Sequence, residues 1–236
     1  VEASKVYDGT NSARIISPGT VSGIISRDKA AVSVGRATYA DKNVGTGKTV
    51  SFTGFILIGD DAANYTLKAQ PASVTADITA KEITINGAAV ESSKVYDGTT
   101  EAKITASGAL SDNYDGENLT IVAGSAAYDN KNVGTGKKVT FSGFTLAGDA
   151  AANYKLIAQP TSTTADITVK EITINGTAVE ASRIYDGTTG AKITSVGTPS
   201  VNYDGENLKV TAGKAAYDNK NAGTGKTVTF TDFTLS

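Results

Sequence analysis

Four carboxylates in a repeated loop are the side chains of this sequence best suited to hold a metal ion. The hexapeptide Asn-Tyr-Asp-Gly-Glu-Asn occurs twice and carries Asp115 and Glu117 in one copy and Asp204 and Glu206 in the other. Oxygen ligands of this kind suit calcium, but their spacing is not that of the twelve-residue calcium loop. The favoured interpretation is a solvated turn, with the four carboxylates as weak calcium candidates and no other cofactor indicated.

The missing residue types exclude most catalytic chemistry. The 236 residues include no Cys, His, Met or Trp. Nucleophile systems that need His or Cys are therefore excluded, as are zinc, copper, haem and iron–sulfur ligation. A glycosidase would need two carboxylates facing each other across a cleft, and these carboxylates lie in turns. We predict that the chain is not an enzyme.

The charge and hydropathy patterns limit the partners. The net charge is −2, with no basic block, which argues against nucleic acid. No apolar run approaches the length that a membrane-spanning helix needs, so we predict no membrane insertion. A phosphate-loop-like segment, residues 45–49, lacks the first glycine of that motif because Lys42 stands there. We therefore predict a hairpin loop at this segment.

The phrase Tyr-Asp-Gly-Thr predicts a structural turn, in which Asp accepts hydrogen bonds and Gly takes a strained dihedral angle. It occurs three times. Structure is favoured over ligand contact, because turn chemistry accounts for every residue of the phrase. The turn residues are Tyr7, Asp8, Gly9, Tyr96, Asp97, Gly98, Tyr185, Asp186 and Gly187.

A gapless repeat of 89 residues organises the chain. The segments Ala89–Ala147 and Ala178–Ser236 agree at 41 of 59 positions. A unit of this length can form its own core. The sequence predicts repeat 1 at 1–80, lacking its first strand, a complete repeat 2 at 81–169, and repeat 3 at 170–236, truncated at its C-terminal strands.

Alternating apolar residues and Gly, Asn and Asp turns predict an all-β chain. Each repeat is expected to be a small β-sandwich-like or β-grasp-like domain, joined to the next by a single residue in an elongated, stiff rod. The strand Lys170–Ile174 should end in a hairpin turn at Asn175-Gly176. The alternation of apolar residues shifts by one position at Ser142-Gly143, which predicts a β-bulge there. In repeat 3, Asp232 stands at the position of this glycine, and aspartate can adopt the same conformation.

In combination, these motifs resemble the YDG repeat, which is akin to the MBG-type domains of large secreted bacterial adhesins. The resemblance rests on Lys94–Thr100, Tyr128 with Asn132–Lys137, Gly148 to Tyr154, and Ala165–Thr168. It implies a segment of a filamentous-haemagglutinin-like or biofilm adhesin at the bacterial cell surface or secreted from the cell. The family brings no catalytic residues. The first copy departs from the pattern, since Ile24–Lys29 replaces the Asn-Tyr-Asp-Gly-Glu-Asn loop.

The expected function is a stalk or spacer that projects a separate adhesive region, with the other domains of the same adhesin as partners. The alternative is a multivalent module whose repeated loops bind glycan or matrix polysaccharide. Tyr114 and Tyr203 are the residues that would test this alternative. We expect a monomer, in which unpaired edge strands allow self-association.

Overall fold

The computed structural model describes residues 1–114, 116–203 and 205–236. Within these ranges the chain forms strands, turns and two single-turn 3-10 helices, Ala62–Asn64 and Ala151–Asn153, and contains no α-helix. The all-β prediction is therefore confirmed. No helix in the same ranges has the length and apolar character needed to cross a membrane.

The strands follow the three sequence repeats. Repeat 1 contains β1 (Ser4–Val6), β2 (Ser12–Ala13), β3 (Ala31–Ser33), β4 (Arg36–Tyr39), β5 (Gly45–Thr53), β6 (Ile56–Ile58) and β7 (Val74–Thr79). Repeat 2 contains β8 (Lys81–Ile83), β9 (Ile85–Val90), β10 (Ser93–Val95), β11 (Glu101–Ala102), β12 (Ile104–Leu110), β13 (Thr120–Val122), β14 (Ser125–Tyr128), β15 (Gly134–Ser142), β16 (Thr145–Ala147), β17 (Tyr154–Leu156) and β18 (Thr163–Thr168). Repeat 3 contains β19 (Ile174–Val179), β20 (Ile193–Pro199), β21 (Val210–Thr211), β22 (Lys214–Tyr217), β23 (Val228–Thr231) and β24 (Thr234–Leu235).

One sheet topology recurs in the first two repeats. A five-stranded sheet has the order β1-β7-β5-β4-β2, and a second has the order β10-β18-β15-β14-β11, the same strands one repeat later. Within the first sheet β1 and β7 are parallel, whereas β7, β5, β4 and β2 pair antiparallel. The late strand β7 thus lies between the early strand β1 and the middle strand β5.

The chain divides into two compact units. Unit 1 comprises Val1–Glu91, Glu101–Ala127 and Lys138–Thr163, and therefore holds all of repeat 1 with part of repeat 2. Besides the first sheet it contains the pairs β3–β6, β9–β12, β13–β16 and β8–β17. Its core is a cluster of buried apolar and aromatic side chains from both repeats: Tyr7, Ala37, Tyr39, Val50, Ala76, Ile78, Ile83, Leu119, Ala150 and Tyr154.

Unit 2 comprises Ser92–Thr100, Tyr128–Lys137 and Thr164–Ser236. It contains the parallel pair β10–β18 and the antiparallel pairs β19–β20, β21–β24 and β22–β23. In repeat 3 of this unit, β22 and β23 pair with each other, as β4 and β5 do in repeat 1.

The predicted hairpin turn at Asn175-Gly176 is wrong, because both residues lie inside strand β19. Gly176 falls opposite Gly197 of β20, between the pairs Asn175–Thr198 and Thr177–Val196. Both glycines have positive φ, +76° for Gly176 and +75° for Gly197. Asn-Gly tolerates positive φ equally well in a turn and in a distorted strand, and here the tertiary pairing selects the strand.

The predicted strand Lys170–Ile174 is also wrong, since β19 begins only at Ile174. Its counterpart in repeat 2, β8, is a strand because it pairs parallel with β17. Repeat 3 of this sequence contains no counterpart of β17. Thr173 is bonded instead to Ser200, whose amide donates to the Thr173 carbonyl at 2.7 Å and whose hydroxyl oxygen accepts from the Thr173 amide at 3.0 Å.

The predicted bulge at Ser142-Gly143 is a break between two strands. β15 ends at Ser142, and β16 pairs with β13. Gly143 has φ +72°, and Phe141 and Phe144 on its two sides are each 2% exposed. The alternation of buried residues shifts by one position here because β15 belongs to the five-stranded sheet, whereas β16 pairs with β13. At the corresponding position Asp232 adopts φ +61°, which confirms that aspartate tolerates this conformation here.

The predicted hairpin loop at residues 45–49 is likewise wrong, because they form the beginning of β5. The register of β5 against β7 shifts between Gly45 and Lys48, and Gly47 has φ +59°. The Gly47 amide donates a hydrogen bond of 2.7 Å to Oδ1 of Asp77. The glycine-rich segment therefore holds a neighbouring strand within its own sheet.

Candidate functional site

The Tyr-Asp-Gly-Thr turns are organised by their aspartates. Oδ1 of Asp8 accepts hydrogen bonds from the amide and the hydroxyl of Thr10, both at 2.9 Å, and from Nζ of Lys5 at 2.7 Å. Burial acts to raise the pKa of Asp8, but these donors lower it below its usual value. Gly9 has φ +75°, a conformation that costs little only for glycine.

The other two turns have the same construction. Asp97 accepts from Lys94 at 2.8 Å and from the Thr99 amide at 2.9 Å. In the third turn, Asp186 is bonded by Arg183 and by the amide of Thr188. The turn is therefore a local structure that forms in every repeat.

The tyrosine of the turn differs in its surroundings between repeats. Tyr7 is 1% exposed, whereas Tyr185 is 59% exposed. The Tyr7 ring makes edge contacts with Tyr114, at 5.9 Å between centroids, and with Tyr154, at 5.5 Å. Since Tyr114 and Tyr154 belong to repeat 2, the turn of repeat 1 is a contact surface between two sequence repeats inside unit 1.

Glu117 is the polar centre of this contact. Its side chain is 5% exposed and Oε1 forms an ion pair with Nζ of Lys42 at 2.9 Å. The Tyr7 hydroxyl donates a hydrogen bond to the same oxygen, and the Tyr154 hydroxyl donates to Oε2 at 2.6 Å. Three donors therefore satisfy one buried carboxylate, two of them from repeat 1.

The protonation states suit this arrangement. Burial acts to raise the pKa of Glu117, but hydrogen bonds from Tyr154, Tyr7 and Lys42 bring it below its usual value. Burial and the hydrogen bond to Glu117 raise the pKa of Tyr154 to about 12. The lowered pKa of Glu117 and the raised pKa values of Tyr7 and Tyr154 favour an ionised carboxylate and neutral phenol donors at neutral pH.

Asn153 adds a further contact between the two repeats. This residue is 4% exposed; it accepts a hydrogen bond from the Val44 amide at 2.9 Å and donates to Oδ1 of Asn43 at 3.1 Å. Within repeat 2, Lys81 forms an ion pair with Asp112 at 2.8 Å and donates a hydrogen bond to the Tyr114 hydroxyl at 3.2 Å. We call the contact between the two repeats the repeat joint; its members are Tyr7, Lys42, Asn43, Val44, Tyr114, Glu117, Asn153 and Tyr154.

Unit 2 contains a reduced version of the repeat joint. Tyr203 packs edge-on against Tyr96 with centroids 5.7 Å apart. Glu206 forms an ion pair with Lys131 at 3.1 Å, and its side chain is 22% exposed, against 5% for Glu117. Repeat 3 of this sequence has no counterpart of Tyr154, so the carboxylate is less enclosed.

Of the predicted calcium candidates, the two glutamates have environments that differ from a solvated turn. Glu117 and Glu206 are engaged by lysines, and Glu117 is buried. Asp115 and Asp204 lie outside the described residues. Within the described residues, no group of three or more acidic side chains is placed to hold a metal ion.

Sequence reasoning missed Lys42, Asn153 and Tyr154. The sequence did carry a signal, because a residue of the same type lies 89 positions from each of them: Lys131 from Lys42, Asn64 from Asn153 and Tyr65 from Tyr154. Recurrence alone did not show which residues meet.

Comparison with known proteins identified one family. The sequence model described as the YDG domain matches residues 1–74, 79–165 and 166–236. Neither the comparison with curated proteins nor that with solved structures gave a significant match.

Proposed function

We propose that this chain, which belongs to the YDG domain family, is a stalk or spacer segment of a bacterial surface or secreted adhesin, where it projects a separate adhesive region. Family membership covers nearly the whole chain in three consecutive matches. A spacer needs domains in series and joints that hold them. The tandem repeat supplies the series, and the repeat joint of unit 1 supplies one such contact.

The observation that carries this proposal is the buried carboxylate of Glu117. A charged group removed from water is tolerated when its hydrogen bonds are satisfied. Two of its three donors, Tyr7 and Lys42, come from the preceding repeat. Separating the repeats would leave this carboxylate with one phenol donor and would expose the aromatic contacts, so the joint opposes bending between them.

The alternative of glycan binding through the repeated loops finds less support. A sugar-stacking site needs an accessible aromatic face. Tyr114 and Tyr203 are only partly exposed and pack against the tyrosines of the preceding turns. The side chains that the loops would offer to a ligand are thus used by the protein itself.

A distance measurement across the joint tests the proposal. The chain has no cysteine, so spin labels can be attached to Ser51→Cys and Thr140→Cys without background. These exposed residues occupy equivalent positions on β5 and β15, both in unit 1. Double electron–electron resonance should give one narrow distance distribution, and Glu117→Ala should broaden it.

A broad distribution in the unsubstituted background would refute a stiff spacer. A glycan array provides the opposing test. Reproducible glycan binding that is lost in Tyr114→Ala and Tyr203→Ala, together with a broad distance distribution, would replace the spacer with the binding module. The single-label variants Ser51→Cys and Thr140→Cys serve as controls for the signal between separate molecules.

A further inference from the structure

Two Asn-Gly pairs lie inside strands, Asn86-Gly87 in β9 and Asn175-Gly176 in β19. They occupy equivalent positions, one repeat apart, and all four residues are exposed. Neither asparagine side chain has a hydrogen-bond partner among residues 1–114, 116–203 and 205–236. Both side-chain amides are therefore accessible to solvent and held by no other described residue.

The main-chain amide of Gly87 points away from its partner strand. Opposite it lies Gly108 of β12, and a Cβ atom built on Gly108 would lie 2.5 Å from the Asn86 carbonyl oxygen, so this oxygen faces β12. In a trans peptide the carbonyl oxygen and the next amide hydrogen point in opposite directions, and no cis peptide occurs among the described residues. The Gly87 amide therefore faces the other edge of β9.

That other edge of the strand is unpaired. Within the described part of the chain, β9 pairs with β12 alone, and the Gly87 amide donates no hydrogen bond there. The second site is built in the same way: a Cβ on Gly197 would lie 2.4 Å from the Asn175 carbonyl oxygen, and β19 pairs with β20 alone. A strand amide is normally engaged in the ladder, whereas these two glycine amides face solvent.

Glycine also leaves its amide nitrogen open to attack on the preceding side chain. Gly87 and Gly176 have φ angles of +74° and +76°, and nothing lies within 4 Å of the position that a Cβ would take on either residue. The carbonyl carbon Cγ of the preceding asparagine can therefore approach this nitrogen without a clash with a side chain. Asparagine is among the chemically labile residues, and this approach is the geometry that its breakdown needs.

We propose that Asn86 and Asn175 are modification sites at which the folded chain deamidates spontaneously to aspartate and isoaspartate. The glycine amide nitrogen forms a bond to Cγ of the asparagine, the Cγ–Nδ2 bond breaks, and Nδ2 leaves as ammonia with the proton that the glycine nitrogen has lost. Water then opens the resulting five-membered succinimide at either carbonyl, which gives aspartate or isoaspartate. This inference goes beyond the spacer role and does not depend on it.

The Asp-Gly pairs of the turns provide a contrast within the same chain. Aspartate can form the same succinimide by losing water, but an ionised carboxylate is a poor electrophile. Oδ1 of Asp97 accepts hydrogen bonds from Lys94 and from the amide and hydroxyl of Thr99. Burial acts to raise the pKa of Asp97, but these donors lower it below its usual value. We therefore expect Asp97 to remain intact while Asn86 reacts.

Isoaspartate would distort β9, because it adds one carbon atom to the main chain. The pairs Ile85–Leu110 and Ala88–Ser107 lie on the two sides of position 86. Ile85 is 3% exposed, so it is fixed by the core. A longer main chain between these two pairs cannot keep both in register, and conversion at this site should loosen the strand beyond it.

Incubation of the full chain in mildly alkaline buffer, followed by peptide mapping, tests the proposal. Asn86 and Asn175 should gain the mass of deamidation before the other asparagines, and a protein isoaspartate methyltransferase used as a reagent should label both positions. The same chain unfolded in urea gives the rate without structure, and the folded rate should lie within about tenfold of it. Asp97 should isomerise more than about tenfold more slowly in the folded chain than in urea. Conversion of the two asparagines in urea alone would overturn the proposal.

Matched variants assign the released ammonia to these two sites. The double variant Asn86→Gln with Asn175→Gln should lose the early release, because glutamine must close a six-membered ring, which forms more slowly. Asn64→Gln replaces an exposed asparagine that precedes Tyr65, and it should release ammonia at the native rate. Circular dichroism verifies that both variants fold. Undiminished release from the double variant, or its loss in Asn64→Gln, would contradict the assignment.

Discussion

Replacing Glu117 by glutamine tests the repeat joint with a minimal change of shape. Glutamine keeps the length and one acceptor oxygen of the side chain but removes its charge. In the native chain the charged carboxylate accepts hydrogen bonds from Tyr7, Tyr154 and Lys42. The side chain is 5% exposed, so water has little access to replace what the substitution removes.

The expected loss follows from the two phenol bonds. A hydrogen bond to a charged group contributes about 1.5–3 kcal/mol and a neutral one about 0.5–1.5 kcal/mol. In glutamine the oxygen accepts from one phenol and the NH₂ donates to the oxygen of the other, so two charged bonds are exchanged for two neutral ones at a cost of about 2 kcal/mol. Lys42 adds little, because its side chain is 45% exposed and water can solvate it after the substitution.

Native-state hydrogen exchange is the suitable assay, because a chain of two compact units need not unfold in one step. The Val44 amide, bonded to Asn153 across the joint, reports local opening. A cost of about 2 kcal/mol should accelerate its exchange roughly 30-fold.

Glu206→Gln is the matched control for this measurement. Its side chain is 22% exposed and forms an ion pair with the partly exposed Lys131, so we expect a loss of under about 1 kcal/mol. Equal effects of the two substitutions on their own local exchange, or no effect of Glu117→Gln at Val44, would refute the reasoning that the buried carboxylate holds the joint closed.

Two further predictions concern the turns and the pH range. Gly98→Ala should destabilise the chain more than Gly187→Ala in thermal unfolding: both glycines have positive φ, but a Cβ at Gly98 would lie 2.9 Å from the Tyr203 ring, whereas nothing lies within 4 Å at Gly187. Equal losses would show that backbone strain alone matters. The folded-state pKa of Glu117 is lowered, so the stability that its ionised form contributes should be lost as pH falls below about 4.5. The folded-state pKa of Tyr154 is raised to about 12, so the stability that its neutral form contributes should be lost as pH rises from about 10 to about 12. Urea midpoints measured by circular dichroism should therefore fall at both extremes, and a midpoint unchanged across either range would contradict the corresponding shift.

The sequence was sufficient to predict the features that depend on local residue types. Alternating apolar residues with Gly, Asn and Asp turns predicted the all-β class, and the place of Asp232 at a glycine position predicted its positive φ. Predictions failed where a distant partner decides the conformation. Residues 170–173 repeat a strand sequence but lack the strand that would pair with it, and Asn175-Gly176 is pulled into a strand by its pairing with β20.

The candidate site was predictable only as a set of separate recurring residues. Glu117 drew attention as an acidic residue in a turn, yet its donors Tyr7 and Lys42 lie 110 and 75 residues earlier in the chain. No local periodicity links such residues, because the contact is made by one repeat folding against another. Burial of the Glu117 side chain, which makes this calcium candidate the acceptor of an ion pair, cannot be recognised without that contact.

The loop of repeat 1 shows that the joint has a direction. Asp28 occupies the position equivalent to Glu117 and accepts a hydrogen bond from Tyr65 at 2.6 Å, just as Glu117 does from Tyr154. In repeats 1 and 2, this tyrosine therefore donates a hydrogen bond to the loop carboxylate of its own repeat. What repeat 1 lacks is the outward tyrosine, since Ile25 stands in place of Tyr114 and is 65% exposed.

The two halves of the joint are thus separable. The turn with its tyrosine and lysine is present in all three repeats, whereas the loop with tyrosine and glutamate is present only in repeats 2 and 3. The joint of unit 1 therefore needs the turn of one repeat and the loop of the next, and the second of these is absent from repeat 1 because Ile25 and Asp28 stand in place of the tyrosine and the glutamate.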